Sequence, residues 1–323
     1  ISQGTKCKLT LFVSRVTPRK LNMIAKNSIF TSVLVVGCVI ILVSFAIRSS
    51  FGVFQIPIAE EFNWLRSEFS LAIALQNLAW GIGQPIFSAI AEKIGDRRAI
   101  IIGGFTYASG LLLSSAAMTP QAHQIYEILV GFGVAGTGFG VILAVVGRAS
   151  SEKNRSMSLA IATASGSAGQ VIGAPIGELL LNYMPWQSVF VIFSITILST
   201  LLLLPFMRVS VAINHKNATQ NMRDLVGKAV VDPSYSMIFL GFFSCGYQLG
   251  FLTAHFPAFV TEMCNPILPA SGIYNLGITS TSALGAISIS LIGLANIAGT
   301  LGAGYLGKTY SKKYLLSLIY FGR

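Results

Sequence analysis

The sequence predicts an all-α membrane protein, a bundle of long helices crossing a bilayer, and three observations carry that prediction. Hydrophobic residues make up 53% of the chain and charged residues 10%, with a mean hydropathy of +0.71, whereas a soluble domain carries about 25% charge. The apolar residues fall into eight runs, at about 29–57, 69–91, 99–118, 124–147, 156–181, 188–207, 236–260 and 282–307. Each is near or above the ~20 residues that a spanning helix needs. Lysine and arginine gather in the N-terminal tail and in every second loop, 19 of them against the lone Arg66 on the other side. That asymmetry puts the basic side, and the N-terminus, in the cytoplasm.

Residues 1–28 hold six basic residues and no acid. The run behind them is longer than the core of a signal peptide and lacks a small-residue cleavage site, so they are read as a cytoplasmic tail. The first six runs, 29–207, make an N-terminal six-helix bundle. The polar stretch 208–235 is a cytoplasmic linker, and Asn217-Ala-Thr219 within it, a glycosylation sequon by pattern, lies on the wrong side of the membrane to be used. Residues 236–323 make a partial C-terminal bundle of spans seven and eight and, from Leu315, the start of a ninth.

The turn between the second and third runs, Ser88 to Arg98 (SAIAEKIGDRR), packs five charges between two apolar stretches. It resembles the loop between the second and third helices of the major facilitator superfamily of transporters, whose pattern is Gly-x-Leu-Ala-Asp-Arg-x-Gly-Arg-Lys. Ser88 stands at the first glycine, Ile90 at the leucine, Ala91 at the alanine, Glu92 at the acid, Lys93 at the first base, Gly95 at the second glycine and Arg97 near the final basic pair. A weaker copy, GYLGKTYSKKY from Gly304 to Tyr314, ends the eighth run, as a repeat between two halves requires. The stretches RSSFGVFQIPIAEEF from Arg48 and SEFSLAIALQNLAWGIGQP from Ser67 are similar to the branch containing monocarboxylate porters and oxalate–formate exchangers.

The resemblance covers most of the chain. It implies a superfamily helical bundle of twelve spans, of which this chain holds eight and the opening of a ninth, so a C-terminally truncated fragment is expected. It also implies alternating access, with two bundles rocking about a midplane site and driven by a proton or by exchange of a second solute. The charged turn, with Glu92, Lys93, Gly95, Arg97 and Arg98, is then the expected conformational latch. Lys308 at the matching acid position denies the second half an equivalent one.

The first and seventh runs should be repeat mates. An offset of 200 pairs Phe51 with Phe251, Pro57 with Pro257, Arg48 with Gln248 and Gln55 with His255. Within each helix the two polar positions are seven apart, nearly two turns, and so point the same way. Arg48 lies about 7 Å past the middle of its span, where an arginine costs roughly 2.5–3.5 kcal/mol on insertion scales and must face protein or water. It is an anion contact, a structural arginine bound to helix carbonyls, or one that snorkels outward. Gln55, Gln76, Gln170, Gln248, His255 and Asn296 are the other candidate substrate-binding residues. Helix-to-helix bonding is the plain alternative for the amides, and His255, whose unperturbed pKa lies near neutrality, is either a candidate proton carrier or a hydrogen-bonded histidine in the outer third of its helix.

Other features are read as packing or as interface. Glu127 and Glu178 sit near the outer ends of their spans and are expected at the membrane interface; Glu127 stands where many superfamily members carry an arginine. Gly131-Phe-Gly133-Val-Ala-Gly136 spells a dinucleotide fingerprint but has no strand before it. With Gly169, Gly173 and Gly177 it is expected to let helices approach closely. Cys7, Cys38, Cys245 and Cys264 show no CxxC spacing, so no metal, cofactor or disulfide framework is expected. The net charge of +11 falls only at span ends, which argues for topology and against nucleic acid.

The function expected is secondary transport of a small organic anion, by a monomer in a bacterial inner membrane and with no enzymatic activity. Export of neutral or drug-like compounds, with Arg48 structural, is one alternative. A truncated membrane protein that does not transport is another.

Overall fold

Thr31, Thr119, Asp232 and Ser280 each hold an extended backbone conformation just before a long helix. Each turns a side-chain oxygen onto N–H groups of the first turn that have no partner within the helix. Pro120 and Pro233 follow two of these caps at a helical position that needs no N–H. The computed structural model describes residues 29–207, 222–264, 267, 274 and 278–322. Its helices are α1 (Ser32–Phe62), α2 (Arg66–Ile94), α3 (Asp96–Ser115), α4 (Pro120–Thr137), α5 (Phe139–Ala149), α6 (Glu152–Leu181), α7 (Trp186–Leu201), α8 (Met222–Val231), α9 (Pro233–Met263), α10 (Thr281–Leu306) and α11 (Lys312–Phe321).

Among the described residues, six segments are long and apolar enough to cross a membrane: α1, the α4–α5 pair, α6, α7 with its 3-10 end, α9 and α10. Helices α2 and α3, 29 and 20 residues long, have the length but carry more polar groups. The repeat expected between the first and seventh spans appears as two helices of 31 residues, α1 and α9, with Pro57 and Pro257 inside them.

One expectation needs correction. The fourth run, 124–147, is not one helix, because Gly138 is extended (φ −96°, ψ −159°) and breaks it into α4 and α5. The break lets Phe139 lean on Phe45, ring centroids 4.2 Å apart. Helix α8 lies within the stretch 208–235 expected as the linker. Residues 1–28, and the sequon at Asn217, lie outside the described residues.

Glycine decides which helices touch. Gly169, Gly173 and Gly177 of α6 lie against Leu42, Ala46, Ser49 and Ser50 of α1, so closely that a Cβ would overlap the α1 backbone at the first two. On α4, Gly131 meets the Gln76 carbonyl of α2, Gly133 meets Tyr107 of α3 and Gly136 meets Gly103 of α3. The glycine-rich hexapeptide is therefore a helix-packing surface, as expected from its place in an apolar run. Helix α10 runs antiparallel along α6, through Ser156 and Gly304, Val171 and Ser290, and Glu178 and Ser282.

The core has two apolar layers. One, with Phe51, Phe54, Phe69, Trp186 and Phe190, fills the half of the bundle near the α1–α2 turn. The other, with Ile40, Phe45, Phe87, Ile100 and Val145, fills the half near the α2–α3 turn. Buried polar groups lie along α1 between them: Ser44, whose hydroxyl is 3.0 Å from Thr137 Oγ1, and then Arg48, Ser49 and Ser50.

Candidate functional site

Arg48 is 6% exposed. Its Nη2 donates to Asn77 Oδ1 at 2.7 Å, and its guanidinium carbon lies 4.6 Å from the Trp80 ring centroid and 5.9 Å from that of Phe45. Asn77 Nδ2 donates to the Ile73 carbonyl at 2.8 Å, which turns the amide oxygen toward the arginine. The cation is thus held by one neutral acceptor and two aromatic faces, an arrangement that solvates charge without cancelling it. The Trp80 Nε1–H is buried with no partner among the described residues.

A cavity of about 10 Å3 adjoins the guanidinium, lined by Arg48, Phe51, Ile73, Gln76, Asn77, Thr253 and Ala254. Room on that scale suits about one water. Its far wall is α9, which reaches α2 beside Gly250, where a Cβ would sit 3.9 Å from Asn77 Nδ2. Helix α9 also crosses α1 where Gly52 lies against the Thr253 carbonyl. The arginine is closed in by both parts of the chain.

Gln55 shares the Arg48 face, as its seven-residue spacing predicts. Its Nε2 donates to Ser70 Oγ at 3.4 Å, and its Oε1 is buried without a partner among the described residues. Ser70 and Asn77 are themselves seven apart on the antiparallel α2, so the two helices meet as a ladder of polar pairs. Gln76 lines the cavity and also donates through Nε2 to Glu127 Oε2 at 2.7 Å.

The profile of the Major Facilitator Superfamily matches residues 36–322. The chain belongs to that superfamily. It is 26% identical over 290 residues to the uncharacterized MFS-type transporter YcxA of Bacillus subtilis, covering 85% of this chain and 65% of that one. It is 31% identical over 181 residues to monocarboxylate transporter 13 of Bos taurus, covering 53% of this chain and 38% of the relative. The chain thus spans less than two thirds of the length of these relatives. Among solved structures, the D-xylose-proton symporter shares the fold, with a TM-score of 0.56 at 15% identity over 84% of this chain and 67% of that one.

Within this superfamily bundle the remaining predicted residues are scattered. Gln248 is exposed and does not line the Arg48 cavity; the seventh-span helix presents Thr253 and Ala254 there instead. Its position, five residues before Thr253 and six before Ala254, is about a third of a turn or more away from that face. His255 is half-buried with its ring 5.2 Å from Phe251, also outside the cavity. Gln170 is buried in α6 with Nε2 unpartnered among the described residues, and Asn296 is exposed on α10. The interface reading of the two acids is wrong. Glu127 is fully buried between Gln76 and Ser114, and Glu178, 8% exposed, meets Ser282 of α10.

At the charged turn, Glu92, Lys93, Arg97 and Arg98 are exposed, and Gly95 takes φ +95°, a conformation that side chains rarely adopt. Arg97 Nε donates to the Met207 carbonyl at 2.8 Å. Asp96, absent from the expected latch, pairs with Arg148 at 2.5 Å and ties the turn to the end of α5. Asn77 and Asp96 are thus the residues that sequence reasoning missed. The Ser70–Asn77 spacing, a copy of Arg48–Gln55, is the pattern that would have found the first.

Proposed function

We propose that this chain carries the central site of a secondary transporter for a small organic anion, with Arg48 opposing the substrate carboxylate. The observation that supports the reading is that Arg48 is a buried cation with no acid beside it. Among the described residues the ion pairs are Arg66–Glu262 and Arg148–Asp96, and Arg48 is in neither. A buried guanidinium paired only with a neutral amide is matched by a ligand that brings the missing negative charge, and its fork suits a carboxylate. The Trp80 ring that faces the guanidinium also carries a buried Nε1 donor without a partner among the described residues. The similarity to a protein named as a monocarboxylate transporter points the same way.

A 10 Å3 space is too small for an organic anion, so the conformation described here is read as closed around the site. Access follows when α9 and α10 move relative to α1 and α6, by alternating access with proton coupling or exchange. In this reading 29–207 is the N-terminal bundle, 208–235 the linker and 236–323 part of the second bundle. The protein is a monomer of a bacterial inner membrane with its N-terminus in the cytoplasm, and Glu92, Lys93, Gly95, Arg97 and Arg98 form the latch.

The test is a panel of labelled monocarboxylates and neutral solutes offered to proteoliposomes with and without a pH gradient. Saturable uptake of one anion is expected. Uptake confined to neutral solutes would make Arg48 structural.

A further inference from the structure

Glu127, Ser114 and His123 form a chain of buried polar groups that the substrate site does not use. Glu127 Oε1 accepts from Ser114 Oγ at 2.8 Å and Oε2 accepts from Gln76 Nε2 at 2.7 Å. Ser114 Oγ is also 2.8 Å from His123 Nδ1, and His123, 1% exposed, leaves Nε2 without a partner among the described residues. The rings of Trp64 and Phe69 lie 6.0 and 5.8 Å from the imidazole. The titratable or charged groups around Glu127 are His123 of its own helix, Tyr107 of α3 and, beyond the Gln76 amide, Arg48 of α1. Glu68 of α2 is held further out by Gln124 Nε2 at 2.6 Å. Only neutral donors touch the carboxyl, and an ion so placed is expensive.

We propose that Glu127 is a proton-binding site of this protein, and that Ser114 and His123 are the path along which the proton reaches it. The serine makes the path reversible, because its single hydrogen can turn either way. With Glu127 ionised, His123 Nδ1–H donates to Ser114, and Ser114 donates to Oε1. A proton that reaches the buried, unpartnered Nε2 makes the imidazole a cation. Its Nδ1 proton then passes to Ser114 Oγ as the hydroxyl proton passes to Glu127 Oε1. The result is a neutral histidine carrying its proton on Nε2, a protonated Glu127 donating to Ser114, and a hydroxyl now donating to Nδ1. One proton has entered and one carboxyl is neutralised.

The consequence for the substrate site rests on the reading of Arg48 as its anion anchor. Gln76 touches Glu127 and lines the Arg48 cavity. With Glu127 ionised, the buried layer is electrically neutral, Arg48 balancing Glu127. With Glu127 protonated it carries one positive charge, which a monoanion cancels. Proton and anion therefore each raise the affinity for the other by the same factor.

The test has two arms. The purified protein is titrated by infrared spectroscopy without substrate: a buried-carboxyl band is expected that is lost in Glu127→Gln and shifted in Ser114→Ala, and a spectrum unchanged by both substitutions overturns the proposal. In the second arm, proteoliposomes take up labelled lactate. Glu127→Gln is expected to lose accumulation driven by a pH gradient while still exchanging labelled for unlabelled lactate. Ser114→Ala and His123→Gln should slow the driven uptake by about 100-fold, the lower range for removing a positioned proton-transfer group. Gradient-driven accumulation that survives Glu127→Gln sinks the proton site. If the wild type moves no lactate in either mode, the reading of Arg48 loses its support, and the infrared arm still decides on Glu127.

Discussion

Arg48 Nη2 and Asn77 Oδ1 meet at 2.7 Å across α1 and α2, a cation facing an amide whose aspartate isostere would keep the acceptor for Arg48 while losing the Nδ2 bond to the Ile73 carbonyl. That near-isostere is the sharpest test of the anion site. Asn77→Asp would give Arg48 a permanent acid partner in place of a neutral one, and anion uptake should be lost while insertion and folding are kept. Asn77→Ala removes one hydrogen bond to a charged group, worth about 1.5–3 kcal/mol, and should weaken or alter uptake without that loss. Equal uptake by the aspartate variant and the wild type would show that Arg48 does not need to be free.

Arg48 itself should respond to geometry as well as to charge. Arg48→Lys keeps the charge but loses the fork that binds both carboxylate oxygens, and substrate affinity should fall by roughly tenfold or more. Arg48→Gln should nearly abolish anion uptake. Gln55→Ala, on the same helix face, removes a neutral bond worth about 0.5–1.5 kcal/mol and should have a milder effect. Unchanged affinity in Arg48→Lys, measured at normal expression, would leave the arginine structural.

Much of this was legible in the sequence because hydropathy and charge are set by the bilayer, whatever packs against what. Run lengths marked out the long helices, and the 200-residue offset paired Pro57 with Pro257, which lie inside α1 and α9. The site was only half legible. A helical period says that Arg48 and Gln55 share a face, and they do, but not which residue of another helix that face meets. That depends on the rotation of α2 and α9 about their axes, which brings Asn77, Thr253 and Ala254 to the cavity and leaves Gln248 outside. Glu127 was misread for a related reason. Distance along a span locates a residue near an interface, but glycines at 110, 131 and 133 draw α2, α3 and α4 so close that the acid lies inside the protein at that depth.

The glycine surfaces make a prediction about stability alone. A Cβ at Gly173 would overlap the Ala46 carbonyl and sit 2.4 Å from Ser49 Oγ, whereas one at Gly81 meets nothing within 4 Å. Gly173→Ala should cost about 1–3 kcal/mol by forcing α6 away from α1. Gly81→Ala should be neutral or slightly stabilising, since alanine is the better helix former by about 1 kcal/mol. Thermal midpoints in detergent compare them, and equal midpoints would mean that the α1–α6 contact is not tight.

Orientation can be read by labelling intact cells with an impermeant thiol reagent. With the basic loops inside, Gln121→Cys in the first turn of α4 should react and Lys93→Cys at the charged turn should not. The reverse pattern would invert the topology, and with it the assignment of Glu92 and its neighbours to a cytoplasmic latch.

At the opposite end, two contacts join the first six helices to α9 and α10: Glu178 with Ser282, and Arg66 with Glu262. Between them a cavity of about 300 Å3 is lined by Gly52, Pro57, Glu178, Pro257, Thr261 and Ser282. The two contacts should differ in weight. The Arg66–Glu262 side chains are 53% and 34% exposed, and a pair so open to solvent contributes about 0–1 kcal/mol. Glu178 is buried, and a hydrogen bond to its carboxylate is worth about 1.5–3 kcal/mol. If this end must part for the outer face to open, Ser282→Ala should raise the open population by tenfold or more, while Glu262→Gln changes it by less than about fivefold. A cysteine at Thr261, inside the cavity, reports the difference through its rate of modification from outside. Faster modification in the Glu262→Gln background than in the Ser282→Ala background would shift the seal from the buried carboxylate to the rim pair.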